Sequence, residues 1–264
     1  MINNYFYEAY ADAIGNLRDY GDYVAHTKEL LNYSFTVRYP NDWDARFLPY
    51  PQNWKYIWRE LTWYFVGEAN DLTIIKYAKR WREIAASGGI NSNYGQYIFN
   101  DAFVKGGEFS MVLAELHDNA DSRRAVMYLT PARVYRQLSK TADFPCTSAI
   151  MFNIRGDSLN MVVNMRSNDI ILGLRNDYPF FMMLQRLMAV LLYKRVGTYT
   201  HNVMSLHAYE QHWHLLDMPY NACSVKSYPA PVITFDDAYN IMHRRAFAVP
   251  WLAEPYAEMY GEHK

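Results

Sequence analysis

The sequence lacks the features that mark a secreted or membrane-spanning protein. It has two cysteines, Cys146 and Cys223, in 264 residues, so no disulfide framework is expected, and no basic stretch followed by an apolar one opens the chain. We therefore expect a protein of the reducing cytoplasm. The most apolar run, 178 to 193, is interrupted by Gln185 and Arg186. It is too short to cross a bilayer, so no membrane span is expected.

The chain also lacks an excess of either charge. Lysine and arginine number 26 against 27 acidic residues, a formal net charge of -1, so no broad positive field is available to hold a nucleic acid. Linkers, low-complexity tracts and repeats are missing as well. We expect one compact domain over residues 1–264, with ample material for a core because 51% of the residues are hydrophobic.

Hydrophobic periodicity predicts helices first and a sheet in the middle. Two segments, 5–21 and 54–67, have helical spacing and end at glycines. After Pro145, AIMFNIR and LNMVVNM alternate with period two around GDS, which predicts a hairpin. Residues 178–194 predict a helix buried against that sheet, and HNVMSLHAYEQHWHLL predicts a strand passing into a helix. The pattern indicates an α+β fold.

Charged residues interrupt apolar sequence in VNMRSNDIILGLRNDYPFF, residues 163–181. Arg166, Asp169, Arg175 and Asp177 fall within twelve residues there, and charges flanked by core are costly unless something pairs with them. Either they form buried salt bridges with one another, or a bound molecule carrying phosphate and polar edges completes them.

Two further segments contain residue types suited to binding an anion or attacking an electrophile. Cys146, in ADFPCTSAI, is either a small buried hydrophobe or a nucleophile, and a thiolate needs positive charge near it, which the turn predicted at 166–168 can supply. Arg123 and Arg124 are either solvated or, with Arg166 and Ser167, a cradle for a phosphate dianion.

Acid–base candidates occur on a helix and on a strand. Glu60 lies at the margin of an apolar helical stripe, where it is either solvated or desolvated enough to move protons. His207 and Tyr209, spaced by two, face the same way on a strand, as a structural pair or as ligand contacts. The histidines at 207, 212 and 214 match no zinc spacing, so no metal is expected.

Seven motifs between Glu60 and Asp217, about 60% of the chain, resemble the thymidylate synthase superfamily, and most of all its deoxycytidylate (dCMP) 5-hydroxymethylase branch. They occur in family order: RELTWY, INSNYG, LAELHDNADSRRAVM, DFPCT, VVNMRSND, LGLRNDY and SLHAYEQH. The resemblance implies a twisted mixed sheet packed by a long buried helix and surrounding helices, with one sheet face at a homodimer interface. It also implies a pyrimidine nucleotide modified at carbon 5 with 5,10-methylenetetrahydrofolate as co-substrate.

The resemblance also implies a role for each matched residue. Cys146 is the nucleophile that adds to carbon 6 of the pyrimidine. The phosphate is held by Arg166 and Ser167, with Arg123 and Arg124 reaching in from the partner subunit.

The remaining matched positions surround the base, the sugar and the folate. His207 and Tyr209 hold a ribose hydroxyl, and Asn168 belongs to the same substrate-binding set. Glu60 and Tyr94 serve proton transfers. The positions that meet the folate are Trp81, Asp169 and Gly173.

Base choice depends on Asp177, which stands where synthases carry asparagine. A carboxylate accepts hydrogen bonds only, which suits the amino group of cytosine better than O4 of uracil. Unmatched buried polar groups cost on the order of 1 to 3 kcal/mol each. Asn176 is adjacent, and a shift of one residue restores uracil chemistry. Thr147, where synthases have histidine, also resembles the hydroxymethylases.

Alternatives to a hydroxymethylase remain open at this stage. They are a dCMP methyltransferase, a uridylate-specific enzyme, a nucleotide-binding protein without turnover, and a cysteine hydrolase using Cys146 and His207. Met165 departs from the synthase glutamine, the arginine of the synthase phosphate loop is not recognisable apart from Arg38 as a stand-in, and the C-terminal segment EPYAEMYGEHK lacks the apolar synthase tail.

Overall fold

A seven-stranded mixed sheet forms the centre of the protein in a computed structural model that describes residues 1–40, 43, 51–100, 106–130, 143–218 and 230–261. Cys223 lies outside these ranges. The strand order is β1-β3-β7-β6-β5-β4, and β2 pairs with β3. The strands are β1 (Ile2–Asn3), β2 (Asp22–Val24), β3 (Thr27–Val37), β4 (Val126–Tyr128), β5 (Thr147–Arg155), β6 (Ser158–Asp169) and β7 (Arg195–Tyr209). The β6–β7 pair is parallel, and β3 and β5 run antiparallel to β7 and β6 respectively.

Helices surround this sheet. They are α1 (Phe6–Tyr20), α2 (Trp54–Val66), α3 (Lys79–Ala86), α4 (Tyr94–Ile98), α5 (Gly107–Asp118), α6 (Leu174–Leu191), α7 (Trp213–Leu216), α8 (Phe235–Met242) and α9 (Ala253–Tyr260). Short 3-10 turns occupy Thr73–Lys76, Glu210–His212, Ala246–Ala248 and Pro250–Leu252. None of the helices in the described ranges is long and apolar enough to span a membrane.

Helix α6 is the long buried helix, and it contains a proline. Pro179 has no N–H to give to the carbonyl of Arg175, one turn earlier. The side-chain amide of Gln52 donates to that carbonyl instead. The helix therefore continues through Pro179 at little cost and keeps one end beside the carboxyl end of β6.

The core lies between one face of the sheet and helices α1 and α6. Phe6 of α1 stacks on Tyr178 of α6 with ring centroids 3.7 Å apart, and Tyr178 meets Tyr199 of β7 edge-on at 5.0 Å. Phe35 of β3 packs against Phe6 at 6.3 Å. Alternate residues of the same strands point to the opposite face.

The predicted α+β architecture is confirmed, with corrections in two places. The helices ending at Gly21 and Gly67, the hairpin, and the strand entering a helix near 210 are all present. The sheet, however, is not confined to the middle of the chain, because β3 is an eleven-residue strand from the N-terminal segment. The segment 166–168 is part of β6 and not a turn.

Candidate active site

The predicted site residues gather at one edge of the sheet because of strand direction. Parallel strands β6 and β7 end at the same edge, and β5 begins there because it is antiparallel to β6. Cys146 precedes β5, and its carbonyl accepts the backbone N–H of Arg166 at 2.9 Å. Asp169 lies beside His207 in the β6–β7 register.

Cys146 is half-buried, and Arg166 covers it. The Nη2 atom of Arg166 lies 3.7 Å from Sγ, and the same guanidinium donates to the carbonyls of Phe144 at 2.8 Å and Pro145 at 3.2 Å. Burial raises the pKa of the thiol to about 11, against the lowering effect of Arg166. The charges of Asp177 and Asp143 add to the increase. The thiol is therefore protonated at neutral pH in this state.

Asp143 joins the nucleophile segment to the loop before α4. Its carboxylate accepts the backbone N–H groups of Asn91 at 2.6 Å and Ser92 at 2.8 Å, and the Ser92 hydroxyl at 2.7 Å. The motifs INSNYG and DFPCT were both found in the sequence, but this link between them was not. One buried carboxylate thus fixes the position of α4, and so of Tyr94, relative to Cys146.

Tyr94 is deeply buried on the inner side of the site. Its ring stacks on Tyr64 with centroids 5.3 Å apart, and its hydroxyl lies near Thr147. Burial raises the pKa of Tyr94 well above its usual value, and the charges of Cys146 and Asp177 act in the same direction. The phenol therefore stays protonated and can serve as a donor.

Glu60 is buried, with 7% of its surface exposed. The helical pattern predicted a position at the margin of the apolar stripe, and the structure corrects this. The hydroxyl of Tyr56 donates to its Oε1, and Nε1 of Trp81 donates to that hydroxyl at 2.7 Å. Burial raises the pKa of Glu60 to about 8, the Tyr56 hydrogen bond opposes this, and the charge of Asp177 adds to it. Tyr56 was missed in the sequence, although its position four residues before Glu60 on the same helix is a local signal for this contact.

Asp177 lies at the N-terminal end of α6 and is held by Asn168 of β6. The Nδ2 atom of Asn168 donates to Oδ2 of Asp177 at 2.7 Å. Desolvation raises the pKa of Asp177 to about 6, Asn168 opposes this, and Asp169 adds to it. The charge of Asp177 in turn raises the pKa of Cys146, Glu60 and Tyr94. This carboxylate thus couples electrostatically to all three.

Asp169 and Gly173 close the turn between β6 and α6. Oδ1 of Asp169 accepts the backbone N–H groups of Ile171 at 2.7 Å and Leu172 at 2.9 Å, whereas its buried Oδ2 has no hydrogen-bond partner in the described ranges. A Cβ at Gly173 would lie 2.8 Å from the Asp169 carbonyl and 2.9 Å from Nδ2 of Asn168. Glycine is required here by close approach of backbone and amide.

Neutral groups of the protein contact several of the charges within 163–181. Arg175, 4% exposed, donates to the carbonyl of Ile171 at 2.7 Å. Asp169 and Asp177 accept from backbone and amide groups, as described above. The expectation that substrate and cofactor complete these charges stays a prediction, and the observed contacts show that groups of the protein also meet Arg175 and both aspartates.

His207 and Tyr209 lie at the end of β7, as predicted. Their rings meet edge-on with centroids 5.2 Å apart, and Nδ1 of His207 lies 3.3 Å from the carbonyl of Ser205. His207 is buried and Tyr209 is 41% exposed. Both side chains remain at the same edge of the sheet as Arg166 and Ser167.

Arg123 and Arg124 lie in the loop between α5 and β4, and both are exposed. Arg124 pairs with Glu115 at 3.3 Å. Arg38 is exposed, and its backbone N–H donates to the carbonyl of Asn3.

The described residues include no group of three or more histidine, cysteine, aspartate or glutamate side chains arranged to hold a metal ion. The groups brought together are a thiol, a guanidinium, two carboxyls of raised pKa and a buried phenol. This set supports nucleophilic and acid–base chemistry on a ligand that carries an anionic group.

Comparisons with known proteins identify the family of the chain. Residues 50–247 match the family model described as thymidylate synthase. The chain is 37% identical over 211 residues to the deoxycytidylate 5-hydroxymethyltransferase of Enterobacteria phage T2, covering 74% of this chain and 80% of the relative. It is 27% identical over 210 residues to the thymidylate synthase of Fusobacterium nucleatum, covering 75% and 73%.

The fold agrees as well. Thermostable thymidylate synthase A from Bacillus subtilis superposes with a TM-score of 0.65 at 21% identity, covering 82% of this chain and 85% of the other. The predicted family resemblance is confirmed. The chain belongs to the thymidylate synthase family and is a one-carbon transferase enzyme of that family.

Proposed function

We propose that residues 1–264 form one catalytic domain that acts as a deoxycytidylate 5-hydroxymethyltransferase. The reaction converts dCMP, 5,10-methylenetetrahydrofolate and water into 5-hydroxymethyl-dCMP and tetrahydrofolate. The relative from phage T2 that carries this name covers 74% of the chain. Thymidylate synthases also match, so the name of a relative alone does not choose the base.

The observation that carries the proposal is the carboxylate of Asp177. It stands at the base-recognition position of the family motif, and its charge raises the pKa of the Cys146 thiol, so the two groups interact electrostatically. The adjacent Asn176 donates its amide to the carbonyl of Leu172 at 2.8 Å within the same helix turn. These contacts favour Asp177 over Asn176 as the group that meets the base, and an accepting carboxylate favours cytosine.

Cys146 starts the reaction by covalent catalysis. Its thiol first loses a proton, and the sulfur then forms a bond to carbon 6, which moves the electron pair of the C5–C6 double bond toward carbon 5. Arg166 is placed to stabilise the thiolate and, with Ser167, to hold the phosphate. Carbon 5 then forms a bond to the one-carbon unit of the methylenetetrahydrofolate substrate. Loss of the carbon 5 proton and release of tetrahydrofolate leave an exocyclic methylene, water adds to that carbon, and the C6–S bond breaks to restore the ring.

Protonated groups on the inner side of the site serve the proton transfers. Glu60 retains its proton at neutral pH because burial raises its pKa to about 8, and Tyr94 is a buried donor near Cys146. A group whose pKa is close to the working pH transfers protons efficiently in both directions.

The residues near the folate position fit a polar heterocycle. Oδ2 of Asp169 is a buried acceptor without a partner in the described ranges, and Trp81 offers an aromatic ring beside Tyr56 and Glu60. Gly173 lets the backbone approach closely. The folate supplies a one-carbon unit at the oxidation level of formaldehyde, so the reaction needs no external oxidant or reductant.

The functional unit we propose is a homodimer. The sheet face away from α1 and α6 carries short uncharged side chains bonded across strands: Ser34 to Asn202 (2.7 Å), Asn202 to Asn164 (3.1 Å) and Thr36 to Thr200 (2.9 Å). A second copy covering this face can bring Arg123 and Arg124 to the phosphate of the partner site.

Mixed dimers test that arrangement. Cys146→Ala and the double variant Arg123→Ala/Arg124→Ala are each expected to be nearly inactive. After denaturation and refolding together, half of the dimers are mixed, and each has one intact site, so about a quarter of wild-type activity should return. A mixture no more active than its two components contradicts shared sites.

The reaction itself is tested by competition among dCMP, CMP and dUMP, with methylenetetrahydrofolate present and the products weighed. The expected product is dCMP with one added CH2O unit. A gain of CH2 alone, with dihydrofolate formed, identifies a methyltransferase, and modified dUMP identifies a uridylate enzyme. Binding of dCMP without exchange of its carbon 5 hydrogen identifies a binding protein and contradicts the proposal.

A further inference from the structure

We propose that Asn168 is a positioning residue for base choice: its amide holds one oxygen of Asp177 and leaves the other oxygen to accept the exocyclic amino group of cytosine. This inference rests on the proposed function and adds to it the group that orients the base-reading carboxylate. Asn168 was expected to contact the substrate, and its observed contact is with Asp177.

The geometry assigns the amide to Asp177. Asn168 is 3% exposed, and its Nδ2 lies 2.7 Å from Oδ2 of Asp177. Its own Oδ1 is buried and has no hydrogen-bond partner in the described part of the chain. A buried carbonyl left unpaired costs free energy, so the bond to Asp177 is the contact that keeps the amide in this orientation.

Space for the amide is provided by Gly173. A Cβ there would lie 2.9 Å from Nδ2 of Asn168, closer than such contacts allow. Residues 168, 173 and 177 therefore form one unit at the junction of β6 and α6. A larger residue at 173 would displace the amide from the carboxylate.

The orientation of the amide selects the charged form of Asp177. An N–H donor stabilises a carboxylate, whereas a protonated carboxyl would need an acceptor in its place. Asn168 lowers the pKa of Asp177 against the effect of desolvation and of Asp169. A carboxylate that only accepts matches the amino group of cytosine and opposes O4 of uracil.

Two asparagine variants separate this role from a general effect on the turn. Asn168→Ala removes the bond to Asp177. Asn176→Ala is the matched control, because that amide is next to Asp177 in sequence but donates to Leu172. For both variants and the wild type, kcat/KM for dCMP and for dUMP is measured across the pH range around 6.

For Asn168→Ala we expect the dCMP to dUMP ratio of kcat/KM to fall about tenfold or more. The acidic limb of the dCMP profile should move to higher pH by about one unit, because Asp177 loses its donor. Asn176→Ala should retain the wild-type ratio and limb. An unchanged ratio and an unchanged limb in folded Asn168→Ala overturn the proposal.

A measurement without turnover keeps this test separate from the proposed function. The carboxyl carbon of Asp177 can be titrated by NMR in protein labelled at aspartate, with Asp177→Asn to assign the signal. An upward shift of the Asp177 pKa in Asn168→Ala, but not in Asn176→Ala, supports the hydrogen bond from Asn168 to Asp177 even if the wild type proves inactive on dCMP. If Asn168→Ala does not fold, Asn168→Ser provides the same comparison, and an unmoved titration in it contradicts the proposal.

Discussion

The two sides of the active site differ in the charge that they carry. We call the side that contains Glu60, Tyr94 and Asp177 the inner side, and the side that contains Cys146 and Arg166 the outer side. On the inner side, Glu60 and Asp177 are carboxyls whose pKa is raised by burial, to about 8 and about 6. On the outer side, Arg166 is exposed and lies against a half-buried thiol. On the inner side Glu60 therefore keeps its proton at neutral pH, and the outer side presents positive charge to an incoming anion.

The raised pKa values explain how one site can keep three acidic groups, Cys146, Glu60 and Asp177, close together. Each carboxylate charge raises the pKa of its neighbours, so full ionisation of the cluster is unfavourable. Asp177 raises the pKa of both Cys146 and Glu60. Recognition of an amino group by Asp177 neutralises part of that effect, so binding of cytosine and formation of the Cys146 thiolate should favour one another.

The largest effect is expected on the outer side, from Cys146→Ala. Without the sulfur there is no bond to carbon 6, so exchange of the carbon 5 hydrogen of dCMP should fall by on the order of 10⁴-fold or more. Calorimetric titration should still detect dCMP, because Arg166 and Ser167 are intact. Exchange at a wild-type rate in this variant would remove Cys146 from the mechanism.

Glu60→Gln tests the inner side and should have the next largest effect. We expect kcat to fall about 10²-fold or more, and the alkaline limb of kcat/KM near pH 8 to disappear. The measurement is a pH profile of product formation. Lys55→Gln, at the exposed start of the same helix, is the control and should keep both the rate and the limb.

Glu60→Gln is expected to impair catalysis but to remove a pH-dependent loss of stability. The folded-state pKa of Glu60 is raised from 4.5 to about 8, so between these values the unfolded chain has lost a proton that the folded protein keeps. Wild-type stability should therefore fall by about 1.4 kcal/mol per pH unit as pH rises through this window, relative to Glu60→Gln. Urea unfolding at several pH values measures the difference, and parallel curves would contradict a buried, protonated Glu60.

Asp177→Asn should exchange one base preference for another. The amide offers a donor and an acceptor, which match N3–H and O4 of uracil, so the dCMP to dUMP ratio of kcat/KM should fall by about 10²-fold. Asn176→Asp is the matched change one residue earlier and should leave the ratio close to that of the wild type. The reverse pattern would place base recognition at residue 176.

How much of this site the sequence could predict depends on sequence distance. Cys146, Arg166, Asp177 and His207 each lie within a local motif, and the directions of β5, β6 and β7 bring those motifs to one edge. Contacts between distant segments could not be predicted. Asp143 reaches Ser92 across 51 positions, and nothing in either segment indicates the other.

The sequence did not predict strand β3, where the alternation of apolar and polar side chains is weak. Strand β3 begins with Thr27, Lys28 and Glu29 and has only two buried residues, at its far end. Its pairing with β7 over ten registered positions makes it a strand, because the backbone hydrogen bonds do not depend on which side chains alternate. The burial of Glu60 was also missed. Tyr56 of the same helix and Trp81 of α3 cover its carboxyl group.

The smallest effect is expected beneath the site, at His201. This histidine is fully buried on β7, its Nδ1 lies 2.7 Å from the hydroxyl of Tyr199, and burial lowers its pKa to about 3. The folded protein thus keeps His201 neutral while the unfolded chain takes up a proton below pH 6.5. Stability should be lost as pH falls through 6.5, by about 1 kcal/mol in the first unit below it and with a slope that approaches about 1.4 kcal/mol per unit further down.

His201→Gln removes that pH dependence, whatever it does to the absolute stability. Urea unfolding of the variant should therefore show a flatter decline below pH 6.5 than the wild type. His243→Gln, at an exposed histidine of the C-terminal region, is the control and should decline as the wild type does. If His201→Gln declines as steeply as the wild type, the acid sensitivity does not originate in His201. The carboxyl groups of the inner side cannot supply it, because a group whose pKa is raised in the folded state adds stability as pH falls.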